Sequence, residues 1–138
     1  MNWFGWALLS AVFAGITAIL AKLGTRGVEP NLAVAIRTLV VLLMAWGIVL
    51  AQGMPKWVQL SGRATWFLVL SGLATGASWL CYFRALHLGE ASSVAPIDKL
   101  SVVFAIALAA IFLGESLTWH HWVGGGLIVA GAIVIALK

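Results

Sequence analysis

Long apolar runs alternate with short polar breaks along this chain, five times over. A helix that crosses a bilayer needs roughly 17 to 25 mostly apolar residues. The first run, 3–22, has only Ser10 and Thr17 as polar residues before Lys22. The stretch Gly24 to Pro30 breaks it, since glycine, proline and charge end a helical pattern. The second run, 32–51, holds one charge, Arg37, and closes at Gln52-Gly53-Met54-Pro55-Lys56. The third covers 64–84, up to Arg84. The fourth covers 93–113, carries Asp98 and Lys99, and stops at Gly114-Glu115. The fifth covers 121–137 and has no Asp, Glu, Lys or Arg before Lys138. In lipid each backbone must satisfy its own hydrogen bonds, so these runs predict helices. The alternating pattern of a barrel is absent. The expected fold is an all-α integral membrane protein with five transmembrane helices in a single domain, 1–138.

Composition agrees. Hydrophobic residues make up 63% of the chain and charged residues 9%, against about a quarter charged in soluble domains. The net charge of +4 is spread over loops and helix ends, with no basic block to suggest nucleic acid. One cysteine, Cys81, excludes an internal disulfide and a multi-cysteine metal site. No Lys or Arg precedes the first run, so it lacks a signal peptide's basic region and is expected to stay in the chain. Trp3, Trp6, Trp57, Trp66, Trp119 and Trp122 fall near span ends, where amphipathic rings anchor at the headgroup level. Trp46 and Trp79 lie well inside spans.

An odd number of spans puts the two termini on opposite sides of the membrane. One side carries Lys56 and Arg63, the other Lys22, Arg26, Arg84 and Lys138. The positive-inside rule places the second side in the cytoplasm. Two against four is a weak bias, and a weak bias suits a chain that inserts both ways.

The C-terminal half carries a recognisable order of pieces: Tyr82-Phe83-Arg84-Ala85-Leu86, Ala91-Ser92-Ser93-Val94-Ala95-Pro96, Leu113-Gly114-Glu115, Leu117-Thr118, Trp122-Val123-Gly124 and Leu127-Ile128-Val129-Ala130-Gly131. In that order and spacing they resemble the EamA-type repeat of the drug/metabolite transporter superfamily, over essentially the whole chain. Larger members look like two such repeats in tandem with opposite orientations. The resemblance therefore implies a second copy of this chain, or a paralogous half, paired as an inverted dimer in a bacterial inner membrane. The smaller multidrug-resistance branch has a proton-coupling glutamate in its first helix. Aligned on Lys22, that position is Ala14, so the residue does not carry over.

Ionisable residues at membrane depth are costly and are functional candidates by default. Here they are Arg37, Asp98 and Lys99. Spans two and four enter from the same side. Arg37 and Asp98 each lie five residues into their spans, roughly 7 to 8 Å along the axis. Equal depth allows them to pair, while snorkelling of Arg37 and Lys99 to the interface is the competing arrangement. Ser71, Thr75, Ser78 and Tyr82 recur on one face of span three, with Trp79 beside them. Ser10, Ala14 and Thr17 do the same on span one, and Asp98, Ser101 and Ala105 on span four. Such stripes also serve as interhelical glue. Stripes on three helices together with charges favour a hydrated path, lined by Thr17, Arg37, Thr75, Ser78, Trp79, Tyr82, Asp98, Lys99 and Ser101.

Gly124 and Gly131, seven apart with Leu127 and Ile128 between, form a small-residue face that suits a dimer seam. A similar glycine pair on the last helix of the small multidrug-resistance branch looks like its dimer contact. Gly72 and Gly76 suggest a second close approach inside the chain. His120-His121 diverge on a helix and lack further ligands, so no metal is expected. No nucleophile constellation suggests an enzyme, and no cofactor is implied. The expected function is secondary transport of a small metabolite, anionic or zwitterionic, by alternating access. Asp98 is the acidic residue placed for proton coupling. A heterodimeric half, a multidrug or cation exporter, and a non-transporting scaffold subunit are the alternatives.

Overall fold

The computed structural model describes residues 2–53 and 61–137. Trp57, Lys56, Pro55 and Lys138 of the sequence argument lie outside the described residues. The described chain is helical: α1 (Trp3–Gly24), α2 (Pro30–Ala51), α3 (Gly62–Leu88), α4 (Ala91–Asp98), α5 (Ser101–Leu113) and α6 (Trp119–Ala136). Read with Ala91–Leu113 as one span, five helices are long and apolar enough to cross a membrane.

Local chemistry sets the helix starts. The Asn2 side chain accepts from the Gly5 N–H at 3.0 Å, opening α1. The Glu29 carboxylate accepts from the Leu32 N–H at 2.9 Å and Pro30 takes the first position of α2, where a missing N–H costs nothing. Ser61 accepts from the Ala64 N–H at 3.2 Å ahead of α3. At the start of α6 the Thr118 N–H donates to His121 Nδ1 at 3.0 Å. Here an imidazole fills the place usually held by Glu or Gln in a capping box. Gly114 ends α5 with φ of 67°, in the left-handed region where a glycine costs least.

Contacts divide the chain into a central unit, Leu20–Leu88, and a terminal unit, Met1–Ile19 with Gly89–Lys138. In the central unit α2 packs on α3. Its buried residues gather at one end: Ala21 late in α1 and Thr25 just after it, Val34 early in α2, Phe83 and Leu86 late in α3. Lipid tails are as apolar as leucine, so close packing and hydrogen bonds, rather than water exclusion, hold helices together at membrane depth. Lys22 Nζ donates to the Leu86 carbonyl at 2.6 Å, and Thr25 Oγ1 donates to the Lys22 carbonyl at 3.0 Å. The Leu86 carbonyl is among the last four of α3, which have no partner within the helix. A cation there also meets the negative end of the helix dipole.

This knot explains why α3 outruns the expected end at Arg84. Leu86 is fully buried and its carbonyl is capped, so the helix continues to Leu88. Lys22→Met is therefore expected to lower stability by about 1 to 3 kcal/mol, the scale of a hydrogen bond to a charged group. Thermal unfolding in detergent micelles checks it; an unchanged melting temperature contradicts the capping role.

In the terminal unit α6 packs on α4 and α5. The buried positions of α6 are Gly125 and Ala132, seven residues apart and so on one face. A Cβ on Gly125 would touch Val103 Cγ2 at 4.0 Å, whereas Cβ atoms on Gly124 and Gly131 would meet nothing. The same is true of Gly72 and Gly76. Among the described residues, the close approach expected at those two glycines is not made.

Candidate functional site

The largest departure from the sequence pattern is in span four. The run 93–113 reads as one helix, but the structure divides it into α4 and α5 with a turn at Lys99 and Leu100. Amides there reach back three residues instead of four: Leu100 to Ile97 at 3.0 Å, Val102 to Lys99 at 3.0 Å, and Val103 to Leu100 at 3.0 Å. Phe104 restores the four-residue step to Leu100 at 3.3 Å. Proline disturbs the turn that precedes it, so Pro96 does not account for a tightening that follows it. The tightened turn coincides instead with Asp98 and Lys99. A short 3₁₀ stretch inside a helix is a frequent mark of a hinge.

Lys99 Nζ lies 3.3 Å from Asp98 Oδ2. Charge-assisted N–H···O bonds are ordinarily ~2.7 to 2.9 Å, so this pair is loose. The Lys99 side chain is 57% exposed and that of Asp98 34%. The carboxylate expected to face Arg37 is thus held by its own neighbour in sequence. Ser101 is exposed at the first position of α5, across the turn from Asp98.

Arg37 has a different environment. Its guanidinium carbon sits 4.2 Å from the centre of the Trp79 ring and 5.5 Å from that of Phe83. Trp79 and Phe83 are four residues apart on α3 and form one face. The Tyr82 ring meets Phe83 edge-on at 6.4 Å between centres and lies within electrostatic range of Arg37. The structure therefore brings Arg37, Trp79 and Tyr82 together. It adds Phe83, which the sequence argument passed over. Its spacing from Trp79 was the available signal.

The rest of the stripe is plainer. Thr75 and Ser78 are exposed on α3, and the Thr75 hydroxyl donates to the Ser71 carbonyl at 2.9 Å. Thr17 is half-buried on α1. On α6, Leu127 is 68% exposed and Ile128 36%, flanking the open faces of Gly124 and Gly131. Trp3, Trp6, Trp66, Trp119 and Trp122 are all exposed, as interfacial anchors should be. An apolar groove of about 680 Å³ lies between α5 and α6, floored by Ala107, Ala110, Gly125, Gly126 and Ala130. Its lining is apolar apart from His121 and the Trp122 indole, with no Asp, Glu, Lys or Arg. Among the described residues, no group of three or more His, Cys, Asp or Glu comes together as a metal site.

Five apolar helices, charged residues at depth and a broken span define a multi-pass membrane protein of the transporter class, in keeping with a bacterial inner membrane. The chain belongs to the EamA-like transporter family, which matches residues 1–137. It is 50% identical to an uncharacterized transporter encoded in the cobO 3′ region of Sinorhizobium sp, over 99% of this chain and 97% of that one. It is 38% identical to a probable terminal-alkyne amino-acid exporter of Streptantibioticus cattleyicolor, over 46% of this chain and 22% of that one. It is 26% identical to a probable 4-amino-4-deoxy-L-arabinose-phosphoundecaprenol flippase subunit ArnE of Aeromonas salmonicida, over 50% of this chain and 60% of that one. No solved structure matches the chain.

Proposed function

We propose that this protein is a secondary transporter of a small anionic or zwitterionic metabolite, such as an amino or organic acid. It works by alternating access as a dual-topology homodimer and performs no covalent chemistry. The observation that carries this reading is the charged pair Asp98–Lys99 at a break in a membrane-spanning helix. Secondary transporters commonly place substrate and coupling-ion sites near discontinuous helices, at the interface of inverted repeats. Similarity to a protein named as an amino-acid exporter supports the substrate class. Asp98 is the proton-linked group, because the other acidic residues, Glu29, Glu90 and Glu115, flank helix ends. Arg37, Trp79, Tyr82, Thr75, Ser78, Ser101, Lys99 and Thr17 are the proposed path-lining residues. Gly124, Leu127, Ile128 and Gly131 form the proposed seam.

Uptake by proteoliposomes of labelled L-glutamate, L-alanine, succinate and tetraethylammonium tests the reading. Saturable uptake of the amino or organic acids is expected. Uptake of the quaternary cation with the acids ignored removes it.

A second arrangement draws on the relative named as a flippase subunit. In it this chain is one half of a heterodimer, and a paralogous half supplies the opposite orientation. Expressed alone, such a half takes one orientation in the membrane, while the homodimer requires both.

A further inference from the structure

Arg37 lies seven residues into α2, about 10 Å along the axis at ~1.5 Å per residue. A cation at that depth needs a counter-charge or water. Asp98 is engaged with Lys99. Among the described residues, Arg37 makes its contacts with rings and donates to no carboxylate or carbonyl. The centres of the Trp79 and Phe83 rings lie 4.2 and 5.5 Å from the guanidinium carbon. Its N–H donors lie in the guanidinium plane and point out from its edge. A ring centre 4.2 Å away steadies the cation without using its N–H donors, so the planar fork remains for the two oxygens of a carboxylate.

We infer that Arg37, steadied by Trp79 and Phe83, takes the carboxylate of the transported metabolite through two parallel N–H···O bonds. This rests on the transport reading above and assigns its anion-recognising group. With Lys99 paired to Asp98, Arg37 is the deep charge left for an anion. The fork makes the site specific, because lysine keeps the charge but offers no paired donors in one plane. Trp79 is a positioning residue, acting through Arg37.

The test uses the whole protein in phosphatidylcholine nanodiscs with 15N-labelled arginine. The Arg37 Nε–Hε signal is displaced by the Trp79 ring current and assigned with Arg37→Lys. Sodium L-glutamate, succinate and benzoate are titrated against sodium chloride and tetraethylammonium chloride. The Arg37 signal is expected to move saturably with the carboxylates alone. In proteoliposomes, Arg37→Lys is expected to raise the half-saturation concentration for carboxylates about 10- to 100-fold, the scale of a hydrogen bond to a charged group. Trp79→Leu should raise it about tenfold, while Trp79→Phe stays near wild type because a ring face remains. If wild-type protein transports carboxylates but they leave the Arg37 signal unmoved, the assignment of Arg37 is overturned and the transport reading stands. A signal that responds to added phosphatidylglycerol and not to carboxylates overturns it as well, in favour of a lipid headgroup. Transport of tetraethylammonium alone is the separate result that removes the substrate class itself.

Discussion

Asp98→Asn is expected to collapse gradient-driven accumulation of substrate while leaving downhill exchange. Coupling one proton to one substrate across one pH unit sustains about tenfold accumulation, since a pH unit is ~1.4 kcal/mol per proton. The variant should show none of it. The reason lies at the break between α4 and α5. With Asp98 ionised, Lys99 neutralises it at 3.3 Å. Protonation leaves Lys99 without its counter-charge and weakens the contact that ties the two side chains from a charge-assisted to a neutral one. The net charge at the tightened turn changes by one, at the point where the span is already irregular. Asparagine keeps the shape and an acceptor oxygen but carries no exchangeable charge. Reconstituted vesicles with an imposed pH gradient decide the matter: a variant that still accumulates substrate tenfold removes Asp98 from coupling. A non-transporting subunit would tolerate the substitution, and Lys99→Met, without functional loss.

Gly131→Leu is expected to weaken the proposed dimer while the protomer stays folded, and Gly125→Leu to destabilise the protomer itself. A Cβ on Gly131 meets nothing within 4 Å among the described residues, so a side chain there starts from open space. Gly125 is buried against Val103, so leucine there overpacks the contact between α5 and α6. Overpacking costs about 1 to 3 kcal/mol. At Gly131 the same cost corresponds to roughly 5- to 150-fold in the constant of the proposed dimer. Crosslinking yield in lipid reads the first effect and thermal unfolding reads the second. A Gly131→Leu protein that crosslinks like wild type places the seam elsewhere. The orientation of the pair is read in a Cys81→Ser background with Val28→Cys, in the loop between α1 and α2. Labelling from both sides of the membrane is required of a dual-topology homodimer, and labelling from one side assigns the chain to a heterodimer.

Much of the fold was legible because lipid imposes one rule everywhere: an apolar run of sufficient length must be a helix. The expected spans fall within two residues of the observed helix limits except at Leu88. There the difference is tertiary. Nothing local requires α3 to pass Arg84, but burial of Leu86 and the Lys22 bond to its carbonyl hold the extra turn.

The site was legible in a different degree. Charge at membrane depth picked out Arg37, Asp98 and Lys99 without any structure, because such residues are costly and rare. Their partners were not legible. Equal depth on alternate spans suggested Arg37 with Asp98. Depth fixes position along an axis but not rotation about it. The structure gives Asp98 to Lys99 and sets Arg37 over the rings of Trp79 and Phe83. Adjacent residues diverge by about 100° on a regular helix, so a contact between Asp98 and Lys99 was not anticipated from a continuous span. It forms where α4 ends and the backbone leaves the regular path.

The sequence by itself determined the solvent, the number of spans and which residues carry charge into the membrane. These follow from transfer free energies, which depend on residue type and run length alone. Only the tertiary structure decided which glycines of α6 pack inward. Gly124 with Gly131 and Gly125 with Ala132 have the same spacing, and a rotation of one residue about the helix axis separates them. That rotation is set by which side chains of α5 lie opposite. The presence of Val103 against Gly125 leaves the Gly124 and Gly131 face free for the proposed partner.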